Sequence, residues 1–382
     1  MRKKICFVVA VPGTAQSFLR DHIESLSKKY DVYIVGNIKD HNEVKDLNVV
    51  GWHSIDIDRK ISLWNDLKAV VQLWKYFSRM KFDAVHSVTP KAGLVSALAG
   101  YISGIQIRIH IFTGQVWATK NGFTKMLLKN IDRLIAKLNT HILVDGNSQR
   151  QFLVANNIIK KNKSHVLGHG SICGVNTERF NPMDEIHDSV RNKLKIPSDK
   201  IVYVFMGRLN HDKGLYELLP AFDKLASVRN DVFLLIFGND EENISSLFKQ
   251  YGNLNKDNFL YYGPTTEPHN MLQAGDVFVL PTYREGFGSS VIEAACLGLP
   301  TITSDAYGVL DASVPGKTGL QCKVGDIDSL YDAMLRLYGD ECLREEMGKA
   351  GRQRVLDKFA GAVVVGHWGD FYDRLLNAGH SC

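Results

Sequence analysis

The stretch DVFVLPTYREGFGSSVIEAACLGLP, residues 276–300, joins an apolar run, a loop with two glycines and a helix-like segment. DVFVLP is a short apolar run that predicts a buried strand, and the last part predicts a helix through Leu297, ended by a glycine and a proline. The loop TYREGFG lies between them, and Gly286 and Gly288 allow its backbone to approach a ligand closely. A strand, a glycine loop and a helix N-terminus favour phosphate binding, because free N–H groups and the helix dipole attract anions.

Two glutamates flank this loop, and each admits a functional interpretation. Glu293 lies one turn into the predicted helix, where its carboxylate could accept hydrogen bonds from ribose hydroxyls. Glu285 lies in the loop and could face the far end of a ligand. However, Ser290 and Glu293 also have the spacing of a capping box, which would explain Glu293 without any ligand. The motif alone leaves both interpretations open.

A second motif, GRLNHDKG at 207–214, follows the apolar run IVYVFMG at 201–207. It predicts that Arg208 and Lys213 lie at the same sheet edge as the first motif. Two cations and a glycine turn beside a phosphate-binding helix suit a diphosphate, whose charge they would neutralise. Alone, the motif could be an ordinary basic turn.

Short apolar runs alternate with helix-like segments along the whole chain, which predicts an α/β fold with parallel sheets. In the first half we predict a helix at 17–30 and strands at 4–11, 31–36, 83–88, 107–113 and 141–146. In the second half we predict strands at 201–207, 232–238, 259–263, 276–281 and 300–304. The polar segment 181–200 is the expected linker, and 361–376 is expected to be an amphipathic helix. Two doubly wound domains in tandem would leave a ligand-binding cleft between them.

Composition narrows the classes of protein. The 382 residues are 45% hydrophobic and 23% charged, as in globular enzymes. No apolar run approaches the roughly 18 residues of a membrane-spanning helix. We interpret the basic, apolar N-terminus as a first buried strand, although it also resembles the start of a signal peptide. The six cysteines are scattered, with no C-x-x-C pair, which favours buried thiols in a reducing compartment.

Charge is divided unevenly along the chain. Residues 1–180 hold 26 Lys+Arg and 13 Asp+Glu, a balance of +13, whereas the remainder holds 20 and 28, a balance of −8. This asymmetry predicts two domains with different partners, the basic one facing an anionic surface. Nucleic-acid binding has only this charge in its favour, since no module signature is present.

Together the two motifs resemble the retaining glycosyltransferases of family 4, which have the GT-B fold of two Rossmann-like domains facing a cleft. The resemblance covers most of the chain and is dense from about 168 to 345. It includes GHGSICGVNTERFNP (168–182), GRLNHDKG, residues 261–305 and GKTGL (316–320). It implies an acceptor-binding domain at 1–182, a nucleotide-sugar-binding domain at 183–360, and a C-terminal helix at 361–382 that crosses back to the first domain.

The resemblance also implies site residues. Arg208 and Lys213 would hold the donor diphosphate, Glu293 the ribose, and Glu285 the donor sugar, with Arg208, Lys213 and Glu285 as the catalytic residues. The remaining donor-binding positions are Gly13, Gly207, Gly238, Gly286, Phe287, Gly288, Ser289 and Ser290. The implied chemistry is transfer of a sugar from a nucleoside diphosphate to an acceptor hydroxyl with retention, without a cofactor, because the nucleotide sugar is a substrate.

The N-terminal half resembles a narrower subset that builds bacterial surface polysaccharides on a polyprenyl-diphosphate lipid, through HSVTPKAGLVSALAG (86–100) and RIHIFTGQVWATKNGF (108–123). His86 and Lys91 could face the acceptor diphosphate, although His86 could equally be a packed histidine. Many members have a histidine before the glycine of the next loop, where this chain has Thr113. Thr113 and Gln115 therefore become candidates for holding sugar or acceptor, and His110 is expected to lie within the strand.

Three other functions compete with transfer. A dinucleotide-dependent oxidoreductase would need G-x-G-x-x-G after a strand, which neither VAVPGTAQ nor FMGRLNHDKG provides. A sugar-nucleotide epimerase on the same twin fold and a non-catalytic nucleotide-sugar binding protein both remain alternatives. The runs DID at 56–58 and 326–328 could form a metal site, but neither adjoins the donor motifs, so we expect no metal.

The helical pattern GFTKMLLKNIDRLIAKLN, 122–139, predicts contact with a membrane. Its basic residues recur every four positions and form one slanted stripe: Lys125, Lys129, Arg133 and Lys137. Its apolar residues form an adjoining stripe: Leu127, Ile131, Leu134 and Leu138. The alternative is a core-packed helix with a solvated outer face. With a lipid-linked acceptor, the stripes predict a cytoplasmic enzyme peripheral on the inner face of the cell membrane, using a nucleotide sugar that is most simply UDP-linked.

Overall fold

The computed structural model describes residues 2–57 and 62–377. The chain divides into two compact units, one formed by Met1–Cys173 with Gly361–Cys382 and the other by Gly174–Ala360. The chain passes from the first unit to the second after residue 173, nine residues before the domain boundary expected after residue 182. It returns to the first unit after residue 360, where the sequence analysis placed the start of the C-terminal helix. Asp58 and residues 378–382, which the sequence analysis included in a candidate metal run and in the C-terminal helix, lie outside the described residues.

The first unit is a seven-stranded parallel sheet in the order β3-β2-β1-β4-β5-β6-β7. Its strands are β1 Lys4–Val8, β2 Asp31–Gly36, β3 Gly51–Ser54, β4 Ala84–Val88, β5 Ile107–Phe112, β6 His141–Val144 and β7 Ser164–His165. Its helices in the first part of the chain are α1 Pro12–Phe18, α2 Arg20–Ser27, α3 Leu63–Met80, α4 Pro90–Ile102, α5 Gly122–Leu138 and α6 Asn147–Ala155. The chain order reverses between β1 and β4, the usual place for a ligand crevice in such sheets.

The second unit is a six-stranded parallel sheet in the order β10-β9-β8-β11-β12-β13. Its strands are β8 Ile201–Met206, β9 Val232–Phe237, β10 Phe259–Gly263, β11 Val277–Leu280, β12 Thr301–Ser304 and β13 Gly319–Cys322. Its helices are α7 Asp184–Leu194, α8 Leu215–Ala226, α9 Pro268–Met271, α10 Ser289–Cys296, α11 Val309–Ala312, α12 Ile327–Gly339 and α13 Glu341–Lys358. The last helix, α14 Gly361–Asn377, belongs to the first unit.

The fold class predicted from the sequence is confirmed, because two doubly wound parallel sheets are present. The apolar runs became strands since both faces of each sheet are covered by helices, and every residue of β9 is buried. Two expectations were wrong. The helix expected at 17–30 is two helices that meet at Leu19, and the segment expected to be a linker holds α7, an 11-residue helix of the second unit.

No helix within residues 2–57 and 62–377 is both long enough and apolar enough to cross a bilayer.

Candidate functional site

The two donor motifs follow neighbouring strands at the centre of the second sheet. β8 pairs with β11, so the loops that follow them, 207–214 and 281–288, leave the same edge of the sheet. The chain order reverses between these two strands, which is where ligands bind in doubly wound sheets. The prediction that the two motifs lie at the same sheet edge is therefore confirmed.

At two positions of this sheet edge, the backbones of neighbouring loops lie so close together that only glycine fits. Gly238, at the end of β9, has φ +146°, and a Cβ there would lie 1.7 Å from the carbonyl oxygen of Gly207. Gly214 has φ +74°, and a Cβ there would lie 2.0 Å from the carbonyl oxygen of Pro281. Any side chain would force these loops apart. The glycines thus fix the spacing of the loops that carry the cations.

Two ion pairs between side chains connect the loop 207–214 to the loop 281–288. Lys213 Nζ contacts Glu285 Oε1, and both side chains are largely shielded from solvent. Beside them Arg284 donates from Nε and Nη2 to Oδ2 of Asp212, at 2.9 and 2.6 Å. Consecutive residues of one loop, Asp212 and Lys213, therefore hold consecutive residues of the other, Arg284 and Glu285. The predicted catalytic pair of Lys213 and Glu285 lies at the centre of this junction.

Hydrogen bonds to the backbone reinforce the same junction. The carbonyl oxygen of Asp212 accepts from Thr282 Oγ1 at 2.7 Å and from the Tyr283 N–H at 2.8 Å. Tyr283 in turn donates its hydroxyl to Glu217 Oε1 on α8 at 2.6 Å. Burial, and then this hydrogen bond, raise the pKa of Tyr283 to about 12, so the hydroxyl stays protonated and continues to donate. The loop that carries Glu285 is therefore held in one position before a ligand arrives.

Arg208 occupies a more open position at the edge of this junction. Its Nη1 lies 3.0 Å from Glu241 Oε2, and more than half of its side chain is exposed to solvent. Asn210 Nδ2 donates to the same glutamate oxygen at 3.0 Å. Because the ion pair is exposed, it is weak and exchangeable. Arg208 can therefore exchange Glu241 for another anion at little cost.

Helix α10 begins directly after the glycine loop. Its N-cap is Gly288 in the left-handed conformation, and no side chain caps the helix. Its first N–H groups, at Ser289 and Ser290, have no acceptor within the helix. The capping box considered from the sequence does not form, because Ser290 is the second helical residue and not the N-cap. Phe287 packs its ring against Phe359, 5.1 Å between centroids, so only its backbone can face a ligand.

Glu293 is partly buried in the second turn of α10. Burial raises the pKa of its carboxyl to about 7, and the charge of Arg179 opposes this rise. A carboxyl balanced near neutrality can accept hydrogen bonds from hydroxyl groups once it ionises. With the capping box absent, Glu293 has no capping function in the helix that would account for its position.

The structure changes the assignment of the acceptor candidates in the first unit. His86 lies in β4 with no exposed surface, and its Nδ1 lies 2.7 Å from the Tyr372 hydroxyl of α14. The prediction that His86 faces the acceptor is therefore wrong, because His86 is a core residue that holds α14 in place. Gln115 is also buried, and its Oε1 accepts from Gln149 at 3.5 Å. It stabilises the loop after β5 and does not reach outward.

The other candidates of the first unit keep some access to solvent. Lys91, in the first turn of α4, lies 2.7 Å from Asp66 Oδ2 of α3. Thr113 is half-buried, and its carbonyl oxygen accepts a hydrogen bond from Gln149 Nε2 at 3.3 Å. Gly13 is an exposed residue in the first turn of α1. His110 lies inside β5, as expected, where Ser87 Oγ contacts its Nδ1 at 2.9 Å.

The basic stripe of α5 is only partly free to meet a partner. Lys129 donates to Asn156 Oδ1 at 2.9 Å and lies over the Trp117 ring, while Arg133 donates to the carbonyl oxygens of Asn156 and Asn157. A shallow depression of about 270 Å³ opens among Lys125, Met126, Lys129 and Arg133. Lys137 is exposed. Of the apolar stripe, Ile131 packs on the core, whereas Leu127 and Leu134 are exposed.

The run DID at 326–328 has structural functions in the second unit. Asp326 caps α12 by accepting from the Ser329 N–H at 2.9 Å, and Asp328 pairs with Lys224 at 2.8 Å. Within the described parts of the chain, no group of three or more His, Cys, Asp or Glu side chains is arranged to hold a metal ion.

Sequence reasoning missed four side chains that shape the donor site. Asp212 and Arg284 were inside the quoted motifs, and their opposite charges next to Lys213 and Glu285 were the available signal. Glu241 lies in a loop without a recognisable pattern, whereas Arg179 lies inside the quoted segment GHGSICGVNTERFNP (168–182), where nothing singled out its side chain. Arg179 donates to His269 Nδ1 at 3.0 Å and to the Thr266 carbonyl oxygen, which places its charge near Glu293.

Known proteins match both halves of this chain. Residues 187–354 match the family of glycosyl transferases group 1, and residues 4–144 match the glycosyl transferase 4-like family. The capsular polysaccharide biosynthesis glycosyltransferase CapM of Staphylococcus aureus is 32% identical over 98% of this chain and 98% of its own length. A UDP-Gal:alpha-D-GlcNAc-diphosphoundecaprenol alpha-1,3-galactosyltransferase of Escherichia coli is 27% identical over 84% of this chain and 82% of its own.

Among solved structures, a sucrose-phosphate synthase of Thermosynechococcus elongatus superimposes with a TM-score of 0.81 at 19% identity, covering 99% of this chain and all of that one. This likeness concerns the fold. Because a relative above 30% identity extends over nearly the whole chain and both units match glycosyltransferase families, the chain belongs to the family 4 glycosyltransferases of GT-B fold.

Proposed function

We propose that this glycosyltransferase moves a hexose or N-acetylhexosamine from a UDP-linked donor to a polyprenyl-diphosphate-linked sugar, with retention, during assembly of a surface polysaccharide. The observation that carries the proposal is the junction of Lys213 and Glu285, beside Arg208 and the open N-terminus of α10. The names of the two relatives support the substrate class, since one acts in capsule synthesis and the other uses UDP-Gal and a diphosphoundecaprenol acceptor.

The geometry suggests how the donor is handled. The donor diphosphate takes the positive charge of Lys213 and Arg208 and the N–H groups of Ser289 and Ser290. Glu285, released from Lys213, accepts hydrogen bonds from the sugar hydroxyls. The bond between the anomeric carbon and the diphosphate oxygen breaks as the acceptor hydroxyl oxygen bonds to the same face of that carbon, and the hydroxyl proton passes to the leaving diphosphate oxygen. Catalysis then depends on positioning and on stabilising the charge of the leaving diphosphate.

We also propose that transfer needs no metal ion and no cofactor. The two cations and the helix N-terminus supply the positive charge that a divalent ion would otherwise bring to the diphosphate. In excess EDTA the transfer rate should stay within about twofold of the untreated enzyme. Loss of turnover that Mg²⁺ or Mn²⁺ restores would contradict this proposal.

A lipid-linked acceptor places the reaction at a membrane, and we propose peripheral association with the inner face of the cell membrane. The support is the balance of +13 in residues 1–180 and the basic stripe of α5, including the depression around Lys125. Each cation near an anionic leaflet contributes about 1 kcal/mol, so a few suffice for reversible binding.

The decisive experiment combines a panel of nucleotide sugars with synthetic polyprenyl-diphosphate sugars. One pair should give a product whose new linkage keeps the anomeric configuration of the donor, read by NMR. An inverted linkage would remove retention. Conversion of the nucleotide sugar to its epimer without an acceptor would favour an epimerase. Tight donor binding without turnover on any acceptor would favour a binding protein.

A further inference from the structure

The outer face of α3 is apolar and lies open to solvent. Its largest exposed residues are Leu63 82%, Trp64 82%, Leu67 55%, Val71 39% and Trp74 40%. The opposite face of the helix, with Leu73 and Phe77, is fully buried against the first sheet. Soluble chains rarely expose two tryptophans on one helix face, and contiguous apolar surface of this kind marks an interaction site.

Helix geometry makes these side chains one strip with a basic border. At about 100° per residue, Trp74, Leu67, Val71 and Trp64 fall within an arc of about 80°. Lys75 and Lys68 follow at the edge of the same arc, and both are exposed. The one acidic residue of α3, Asp66, is paired with Lys91 at 2.7 Å. The strip therefore combines tryptophan, aliphatic side chains and two exposed lysines.

The strip continues onto the neighbouring helix. Ser103 Oγ donates to the Trp74 carbonyl oxygen at 3.4 Å, which places the end of α4 beside the C-terminal half of α3. Tyr101 and Ile102, at that end, are each more than half exposed. α4 also packs against α5, whose Phe123 and Met126 are exposed. Adjacent helices of the first unit thus add further exposed apolar side chains beside those of α3.

We propose that the outer face of α3, led by Trp64 and Trp74, inserts into the headgroup region of an anionic bilayer and seats the first unit on the membrane. Tryptophan favours this region because its ring is apolar while its N–H still finds polar partners. The bordering lysines complement anionic headgroups, and the whole first half of the chain is basic. The inference rests on the proposed function, which requires an acceptor held in a bilayer.

This inference assigns different functions to two helices. α3 carries large apolar side chains and two exposed lysines, which suits insertion. On α5, Lys129 and Arg133 are bonded to the end of α6, so its cations line a fixed basic surface and not an inserting one. In this proposal the cations of α5 attract the protein to the anionic leaflet, and the apolar face of α3 then inserts into it.

The test compares wild type with a Trp64→Ala/Trp74→Ala variant on vesicles of phosphatidylcholine and phosphatidylglycerol. Wild type should co-sediment, and the variant should bind at least about tenfold more weakly. A second variant, Leu67→Glu/Val71→Glu, should lose binding without removing a tryptophan. A Val228→Ala/Tyr262→Ala variant alters exposed apolar residues of the second unit and should bind as wild type does. Unchanged melting temperatures show that each variant folds.

Fluorescence reports the insertion directly. Of the five tryptophans, Trp117 and Trp368 are buried and Trp52 is partly buried, so brominated lipids should quench mainly Trp64 and Trp74. The double tryptophan variant should lose this quenching. Equal vesicle binding by wild type and both α3 variants would overturn the proposal. So would wild-type emission that brominated lipid leaves unchanged, or a wild-type dimer that the α3 variants abolish, which would assign the face to a second copy.

Activity separates this inference from the proposed function. The α3 variants should keep wild-type transfer to a short-chain soluble acceptor and lose transfer to a long-chain acceptor in vesicles. Vesicle binding without transfer to either acceptor by wild type would reject the proposed function and leave the docking face intact. Full transfer by the variants to the long-chain acceptor in vesicles would instead reject the docking face.

Discussion

Lys213 and Glu285 neutralise each other while the donor is absent. Both side chains are largely shielded from solvent, and a shielded charge left alone would be costly. The pair therefore keeps a cation and a carboxylate in fixed positions, and in the proposed mechanism the donor diphosphate takes Lys213 while the donor sugar takes Glu285. The neighbouring pair of Asp212 and Arg284 keeps the two loops in register during that exchange.

Replacing Lys213 with alanine should lower turnover by about 100-fold or more, because one preorganised charge-stabilising group typically contributes roughly 3–4 kcal/mol to the transition state. Arg208→Ala should have a similar effect on turnover. The measurement is the steady-state rate with the active nucleotide sugar, together with the melting temperature. Lys224→Ala, which removes an exposed cation of α8 in the same unit, is the matched control. Near wild-type rates in both site variants would remove the diphosphate assignment.

Glu293 should make stability depend on pH in a predictable direction. The folded pKa of about 7 lies above the ordinary value of 4.5, so the folded chain holds a proton that the unfolded chain has lost. The stability it contributes is complete below about pH 4.5 and is lost as the pH rises toward 7. Glu293→Gln should therefore gain about 1–3 kcal/mol relative to wild type between pH 5 and pH 8.

Urea unfolding at several pH values measures this difference, with the exposed Glu346→Gln as the control. The same Glu293→Gln variant should bind the nucleotide sugar more weakly, since the amide lacks the carboxylate charge and one acceptor oxygen. A parallel pH profile for wild type and variant would show that the carboxyl is not shifted. Unchanged donor affinity would show that Glu293 does not bind the ribose.

Sequence reasoning could bring together those candidate residues whose neighbours in the chain carry a pattern. Lys213, Glu285 and the glycines of both loops follow predicted strands, so the sheet edge could be inferred before any coordinates. His86 was ambiguous, because a strand position does not reveal which side chain will meet a helix 286 residues later in the chain. Glu241 lies outside every quoted motif. Arg179 lies within the quoted segment 168–182 but was not singled out, since its contacts are with residues 87 and 90 positions later in the chain.

Helix α14 is the element that most depends on long-range packing. Trp368 is almost completely buried, and its ring stacks on His22 with centroids 3.9 Å apart. One turn later, the Tyr372 hydroxyl bonds His86 at 2.7 Å. The last helix of the chain thereby closes the core of the first unit, which folds around residues from both ends of the sequence.

Truncating this contact should destabilise the first unit. Trp368→Ala should cost about 3–5 kcal/mol, as large-to-small changes in a core do. Tyr372→Phe should cost about 1–3 kcal/mol, because His86 loses its partner in a buried site. Asp370→Ala, on the exposed side of the same helix, should change little. Equilibrium urea unfolding measures all three, and a Trp368→Ala loss below about 1 kcal/mol would mean that α14 is not part of the core.

At the level of elements, the sequence predicted most strands and missed those without a long apolar run. β9 and β10 agree with their predicted spans within one residue, because continuous apolar residues mark a buried strand. β3 (GWHS) and β13 (GLQC) contain no continuous apolar run, and β7 has only two residues, so no sequence pattern marks these three strands. α7 was missed because most of its residues are polar, and its two buried residues, Val190 and Arg191, are too few to give an apolar helical periodicity.

At the scale of the whole molecule, the charge asymmetry predicts how membrane binding should respond to salt. The cations of α5 act through the field near the leaflet, which is screened within about 10 Å at 0.1 M salt and about 3 Å at 1 M. The apolar face of α3 acts by burial, which salt does not weaken. Binding therefore has two components that ionic strength can separate.

Lys125→Glu/Lys137→Glu should weaken binding to anionic vesicles strongly at about 50 mM salt and little at about 500 mM, because only the charge component is lost. These two lysines are chosen since Lys129 and Arg133 also hold the end of α6, and changing them would disturb the fold. Lys224→Glu/Lys349→Glu makes the same change of net charge on the second unit and should leave binding unchanged. By contrast, Trp64→Ala/Trp74→Ala should weaken binding at both salt concentrations. Co-sedimentation across the salt series measures all of these, and an equal loss in the two lysine variants would mean that net charge alone, without a docking face, governs the association.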